Sequence, residues 1–396
     1  MSPLLDPCVV VLQAAVADRV CGAAQLAVIH RGTLLGSWAG GRAALASEFA
    51  SPDRPAANSD ANSEQAPCTP TTSFDWASLT KLLVATALMQ AVEQGRLRLD
   101  DPVGSLVPGF VGRRSLWPYE HPLRPGEMIP LDPEVEPDQV VDLDQVTFWH
   151  LLTHTSGLPA WQPLYRQPSA AMAKQLAIGT PFADLPGRWV TYSDIGFILL
   201  GLALESLYGD PLDQIIERQV LQPLQLAQTG YRPLQWQSWP PTIAATEICP
   251  WRQRRLVGEV HDENAGRLDG VAGHAGMFGT ATDLATLGQM FLTAANPVLQ
   301  PETQAKMTQL HHQSGAIRRG LGFALRSEIP GSSGYPFSPL AFGHTGFTGT
   351  SLWIDPARDL VVALLTNSVF YGRDKDGILA LRVRVHEAIT TGIPVV

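Results

Sequence analysis

The sequence predicts an α/β fold of the α+β kind. One antiparallel β-sheet is built from both chain ends and flanked by the terminal helices, with an all-α region inserted between. Three observations predict it. Strand-like segments occur early (24–41) and late (320–368). The segments between them carry helical periodicity. The 396-residue composition, 45% apolar and 16% charged, is that of a globular chain.

Each element has its own reason. Residues 4–19 read as an amphipathic helix. Asp6 and Pro7 precede its apolar run and no basic segment opens it, so it is not read as a signal peptide. "AQLAVIH-RG-TLLGSWAGG" reads as a hairpin turning at Arg31-Gly32. Residues 43–70, rich in Ala, Ser, Asn, Asp and Pro, read as a surface loop. A long helix is expected from Ser78 to Gln94, stopped by Gly95. Residues 112–146 are Pro-rich, acidic and irregular. Helices follow at 147–154, 168–177, 193–208 and 212–220, then strands at 320–325, 349–355 and 359–368. The last helix, 376–390, turns Ile378, Leu379, Leu381, Val385 and Ile389 toward the core. No internal repeat is present. The expectation is one domain, 1–396, with 1–75 and 290–396 forming the sheet region and 76–289 the mainly helical region. A site belongs in the cleft between them.

Composition also excludes classes of function. A net charge of −9, with no basic run, leaves nothing to neutralise a row of phosphates, so no nucleic-acid partner is expected. No apolar stretch of about 18 to 20 residues suggests a membrane span. The four cysteines, Cys8, Cys21, Cys68 and Cys249, lack metal-like spacing and read as reduced structural thiols. A cytoplasmic location follows as the default expectation. No metal and no cofactor are expected; His261, Asp262 and Glu263 are consecutive and point different ways. Lysine is scarce, with only Lys81, Lys174, Lys306 and Lys375, so a lysine in an apolar helix stands out.

Three segments could carry chemistry. In "WASLTKLL", Ser78 and Lys81 lie three apart and share a helix face. A serine hydroxyl needs a neighbouring base, and burial or a nearby cation can prepare a lysine to accept a proton. The plainer reading is that Ser78 only caps the helix. In "YSDIGFILLG", Tyr192 could be a general base or a packed aromatic, and Asp194 could cap the helix it opens. In "GHTGFTG", the glycines at 343, 346 and 349 allow close approach, and His344 and Thr345 are expected at the start of a strand.

Serine–x–x–lysine, tyrosine–x–polar and basic–Thr–Gly, in that order and widely spaced, resemble the penicillin-recognising serine hydrolases. That superfamily holds class C β-lactamases, D-alanyl-D-alanine carboxypeptidases and related esterases. "LLTHTSGLP", "VHDENAGRLDGVAGHAG" and "GHAGMFGTATDLA" extend the resemblance to about residues 10–390. The resemblance implies the β-lactamase/transpeptidase-like fold and an acyl-enzyme on Ser78. It implies that Lys81 helps to deprotonate the serine and that Tyr192 shuttles protons. It places the oxyanion hole at the backbone N–H groups of Ser78 and Phe347. It gives substrate binding to Asp194, His344, Thr345 and Gly346.

Two positions depart from the common pattern. Asp194 stands where many members have asparagine, and its charge near Lys81 would raise the lysine pKa. His344 stands where true β-lactamases usually have lysine. With an ordinary pKa near 6.5 it would be mostly neutral, and a weaker carboxylate anchor. His154 and His274 read as structural. The Trp-rich stretch 234–241 reads as a loop or cleft wall, and pocket walls are expected from 43–70, 112–146 and 230–256. The function expected is a serine hydrolase acting on a small-molecule ester, amide or D-amino-acid substrate. The alternatives are a penicillin-binding carboxypeptidase or β-lactamase, and a catalytically silent binding protein. The oligomeric state stays open.

Overall fold

A computed structural model describes residues 2–45, 66–136, 138–236, 242–329, 332 and 334–395. Most of the expected 43–70 loop and residues 237–241 of the Trp-rich stretch lie outside the described residues. The elements that frame the site are helix α1 (Asp6–Ala17), strands β1 (Ala23–His30) and β2 (Thr33–Leu45), helices α2 (Thr80–Glu93), α3 (Asp194–Tyr208) and α4 (Ala281–Met290), strands β3 (Phe342–Thr345), β4 (Ser351–Asp355) and β5 (Leu360–Thr366), and helix α5 (Asp376–Gly392).

The main sheet is antiparallel and runs Thr242–Ile243, β2, β1, β5, β4, β3, Ala324–Leu325, Ile317–Arg319, His312–Ser314, with Ala66–Pro67 also paired to β2. First and last parts of the chain meet at β1 and β5, where Val28 faces Val362. The hairpin turns at Arg31 and Gly32, both with positive φ (51° and 71°), as a two-residue hairpin turn requires.

Period-2 alternation sends side chains to two buried faces. Ala24, Leu26, Val28, Val362 and Leu364 pack with Leu12 of α1 and Ile378, Leu381, Val385 and Ile389 of α5. Ala27, Ile29, Val361, Ala363 and Leu365 join the larger core, which contains α2, α3 and α4. Burial on both sides explains why β5 reads as an unbroken apolar run. The sheet is therefore the middle layer of three, and the mainly helical region covers one face.

Local details differ from expectation. Ser78 sits in a 3-10 turn, Ala77–Leu79, before α2 begins at Thr80. His344 and Thr345 end β3 rather than start it. Only Ala324–Leu325 of 320–325 is strand, and 312–314 and 317–319 extend the sheet edge beyond it. Leu379, assigned to the apolar stripe of the last helix, is exposed at its surface. The Pro-rich 112–146 stretch holds two short strand pairs, Arg113–Ser115 with Val140–Asp142 and Tyr119–Glu120 with Met128–Ile129. Cys8, Cys21, Cys68 and Cys249 are buried free thiols, as their spacing suggested. Among the described residues, no single helix is long and apolar enough to cross a membrane.

Candidate active site

The segment that carries Ser78 is built around a buried carboxylate. Asp75 ends a short strand, Phe74–Asp75, paired with Met277–Gly279. Its two oxygens accept the backbone N–H of Ala77 at 2.8 Å and of His261 at 2.6 Å. Burial pushes its pKa up. The grip turns the chain sharply, and Ala77 is held at φ +49°, a conformation costly for a residue with a Cβ. Thr80 completes the turn by donating its hydroxyl to the Ala77 carbonyl at 2.7 Å. The result lifts Ser78 out of the helix proper and directs it to the cleft.

Lys81 is fully buried one turn further on. Its Nζ donates to Ser78 Oγ (3.0 Å), Asp194 Oδ1 (2.8 Å) and the His274 carbonyl (3.0 Å). An ammonium has three protons, and here all three have acceptors. Burial alone would lower the Lys81 pKa, but Asp194 and then Tyr192 outweigh it and hold it above its ordinary value. Lys81 is therefore a cation at rest, as the presence of an aspartate at 194 suggested.

Helix α3 supplies Asp194 and orients Tyr192. The helix cap falls on Ser193, whose Oγ accepts the Gly196 N–H at 3.2 Å. Asp194, expected as a possible cap, does not cap the helix and pairs with Lys81. Tyr192 is stacked so that Nζ of Lys81 lies 4.8 Å from its ring centroid. Burial raises the phenol, Lys81 opposes that, and the hydroxyl interacts with both Lys81 and Ser78. His154 packs 4.6 Å from the Tyr192 ring and accepts the Ser193 N–H on Nδ1 at 3.0 Å. Burial, with Arg319 next, holds its pKa well down, so His154 is a neutral support.

His274 acts through its carbonyl, while its ring bonds Asp262 at 2.8 Å through Nε2. Gly273 makes this possible, since a Cβ there would lie 2.0 Å from the Phe197 carbonyl of α3. Two groups of acidic residues, His and Cys have converging ligand atoms. Cations already meet acids in both: Lys81 pairs with Asp194 in the first, and Arg373 joins Glu247 to Glu263 at 2.5 Å each in the second.

The opposite wall comes from the sheet edge. Nδ1–H of His344 donates to the Thr345 carbonyl at 2.8 Å, which leaves Nε2 as a bare acceptor without a partner among the described residues. Burial, then Lys81 and Arg319, pull its pKa down to about 3. His344 is thus neutral across the physiological range and brings no charge to the wall. The cations there are others. Arg319 places its guanidinium carbon 5.6 Å from the Tyr192 ring, with a buried Nε that has no hydrogen-bond partner among the described residues. Lys375 lies 3.6 Å from the Phe347 ring centroid, and burial lowers it to about 8.

Gly346 brings this wall against the nucleophile strand. A Cβ at 346 would lie 2.0 Å from Thr350 Oγ1 and 2.6 Å from the Trp76 carbonyl. The neighbouring Thr348 and Thr350 hydroxyls donate to the carbonyls of Asp75 and Trp76 at 2.8 and 3.0 Å. The backbone N–H of Phe347, next to this contact, donates to no described group.

A cavity of about 490 Å³ joins the two walls, lined by Ser78, Tyr192, His344, Thr345, Gly346 and Phe347, with Arg319, Lys375 and Arg382 beyond them. Among the described residues, no acidic one lines it. Its described sides come from 317–324, 344–353 and 375–382; no described residue of 112–146 or 230–256 lines it, and most of 43–70 lies outside the described residues. Arg319, Lys375, Arg382 and Asp75 were not anticipated as parts of the site. Only Arg382 had a visible signal: it falls on the buried stripe of the last helix, four residues after Ile378.

A family model described as Beta-lactamase matches residues 11–385. An N-acetylmuramyl-L-alanine amidase of Bacillus subtilis (strain 168) is 34% identical over 321 residues, covering 75% of this chain and 68% of that one. A putative D-alanyl-D-alanine carboxypeptidase of Salmonella enteritidis PT4 (strain P125109) is 30% identical over 327 residues, covering 76% and 70%. Two solved structures share the fold. EstCE1, a hydrolase with promiscuous acyltransferase activity, has a TM-score of 0.69 at 22% identity, with 98% of each chain covered. The octameric penicillin-binding protein homologue from Pyrococcus abyssi has a TM-score of 0.67 at 20% identity, covering 98% of this chain and 78% of that one.

Proposed function

The chain belongs to the Beta-lactamase family and is a serine hydrolase, and from that premise we propose that it cleaves small amides or esters carrying a carboxylate, through an acyl-enzyme on Ser78. The observation that carries this reading is the Lys81 ammonium, which bonds Ser78 and Asp194 at once and lies against Tyr192.

Ser78 Oγ attacks the substrate carbonyl carbon, and the carbonyl oxygen takes the negative charge. The N–H groups of Ser78 and Phe347 receive that oxyanion. The serine proton passes into the Lys81–Tyr192 pair, and Tyr192 delivers it to the leaving nitrogen or oxygen as the bond to carbon breaks. Water then attacks the acyl carbon, gives its proton to the same pair, and Ser78 recovers a proton as the acid product leaves. Lys81 and Tyr192 are both held above their ordinary pKa values, so the resting pair is fully protonated. The reactive form has one proton fewer, shared between them, and turnover rises with pH over the alkaline limb.

The carboxylate preference rests on the cavity wall, where Arg319 and Lys375 face the substrate space and no acid among the described residues joins the lining. A neutral His344 cannot serve as the anchor, so Arg319 is assigned that role. The test uses a fluorophosphonate and paired substrates, one ending in a carboxylate and one in the matching neutral amide. Wild type should take one label at Ser78 and turn over the carboxylate partner at least tenfold better. Ser78→Ala should lose both label and turnover. An unlabelled wild type, or a label that survives in Ser78→Ala, defeats the reading.

A further inference from the structure

The chemistry just described needs the Phe347 N–H to point at the developing oxyanion, and the question is what aims it. The Gly346–Phe347 peptide is planar, so its C=O and N–H point in opposite directions. Whatever fixes the Gly346 carbonyl therefore fixes the Phe347 N–H. Arg382, from the buried face of α5, donates one Nη2 to two acceptors: the Gly346 carbonyl at 3.0 Å and the Thr350 carbonyl at 2.7 Å. The same Thr350 carbonyl accepts the Gly346 N–H at 2.8 Å, and the Gly346 carbonyl also accepts the Gly349 N–H at 3.1 Å. The turn 346–350 is thus clipped from behind by a single guanidinium. The next peptide is held as well, because Lys375 donates to the Phe347 carbonyl at 2.5 Å.

Arg382 is an unusual choice for a mere staple. It is 5% exposed and, among the described residues, has no carboxylate partner and no acceptor for its Nε. Burying a cation against carbonyls alone is costly, and a neutral donor could close a turn at lower cost. A cation does two further things. Its charge-assisted bond polarises the Gly346–Phe347 peptide, making the N–H a stronger donor. It also places fixed positive charge behind the point where negative charge develops.

We propose that Arg382 is a positioning residue for the oxyanion hole, which aims and polarises the Phe347 N–H through the Gly346 carbonyl. This rests on the acyl-Ser78 reading. The proposal differs from a structural role in what it moves: affinity for the transition state, not for the substrate.

The experiment compares the full-length wild type, Arg382→Met and Arg382→Lys on a neutral ester, so that the charge of the cavity is not read. A boronic acid that forms a tetrahedral adduct with Ser78 reports on the oxyanion hole. In Arg382→Met, kcat should fall 10- to 100-fold with KM within threefold, and boronate affinity should fall by the same factor as kcat. Arg382→Lys keeps the charge but cannot hold the same fork, so a 3- to 10-fold loss in both quantities is expected. If the Met variant does not fold, the Lys variant decides. Wild-type kcat and boronate affinity in any folded variant overturn the proposal, as does a loss carried wholly by KM. A wild type that takes no fluorophosphonate at Ser78 defeats the hydrolase reading and this proposal with it. A labelled wild type with an unchanged Arg382→Met defeats this proposal alone.

Discussion

The two walls of the cleft handle buried positive charge in opposite ways. On the helical wall, Lys81 meets a carboxylate at 2.8 Å, a hydroxyl and a carbonyl, so its charge is balanced where it sits. On the sheet wall, Arg382 and Lys375 bond backbone carbonyls and Arg319 lies over an aromatic ring, with no acid among the described residues lining the cavity. The difference separates two tasks. A balanced cation in a hydrogen-bonded group can pass protons without a net change of field. Unbalanced cations build a standing positive potential, which favours a developing oxyanion and an anionic substrate.

The contrast can be broken from either side. The largest effect is expected on the helical wall. Tyr192→Phe removes the hydroxyl that meets both Ser78 and Lys81 and should lower kcat by about 10²–10⁴-fold, with KM changed far less. Steady-state kinetics decide it; normal turnover would make Tyr192 a packing residue and remove the proton-transfer role from this wall. The next effect belongs to the sheet wall. Arg319→Met should lower kcat/KM for a carboxylate-bearing substrate by about 10–100-fold, in line with the loss of one charge-assisted bond, and leave the matching neutral substrate within about threefold. Equal losses on both substrates would show that Arg319 shapes the cavity without reading charge.

The smallest effect sharpens the comparison by removing the balance. Asp194→Asn takes away the carboxylate that holds Lys81 protonated, so the Lys81 pKa must fall. A base that loses its proton at lower pH moves the rising limb of the kcat–pH profile toward acid. A limb that stays in place would separate Lys81 from the rate-controlling proton.

The helical wall was largely legible in the sequence, because Ser78 and Lys81 are neighbours on one turn and Tyr192 directly precedes a strongly apolar helix. Local spacing carries that information. The same spacing mislocated the capping role, because Ser193 and Asp194 both suit a helix start and only the pairing with Lys81 chooses between them. The sheet wall was poorly legible. Arg319 lies on a three-residue strand, next to the edge strand His312–Ser314, that periodicity cannot detect, and its register depends on Ala324–Leu325 and β3. The neutrality of His344 depends on burial beside Lys81 and Arg319, which no local pattern encodes. The main sheet itself was legible from its two apolar halves, whereas its far edge at 312–319 was not.

The buried Asp75 grip has a consequence for the life of the chain before it is complete. Its carboxylate waits for the amide of residue 261, its carbonyl for the hydroxyl of residue 348, and the next carbonyl for that of residue 350. During synthesis from the N-terminus, the segment bearing the reactive serine emerges long before those three partners exist. Until they arrive, the strained turn at Ala77 rests on its local bonds to Asp75 and Thr80 alone. On the acyl-Ser78 reading, a copy that stops short of residue 348 carries the serine without the outer bonds that fix its turn.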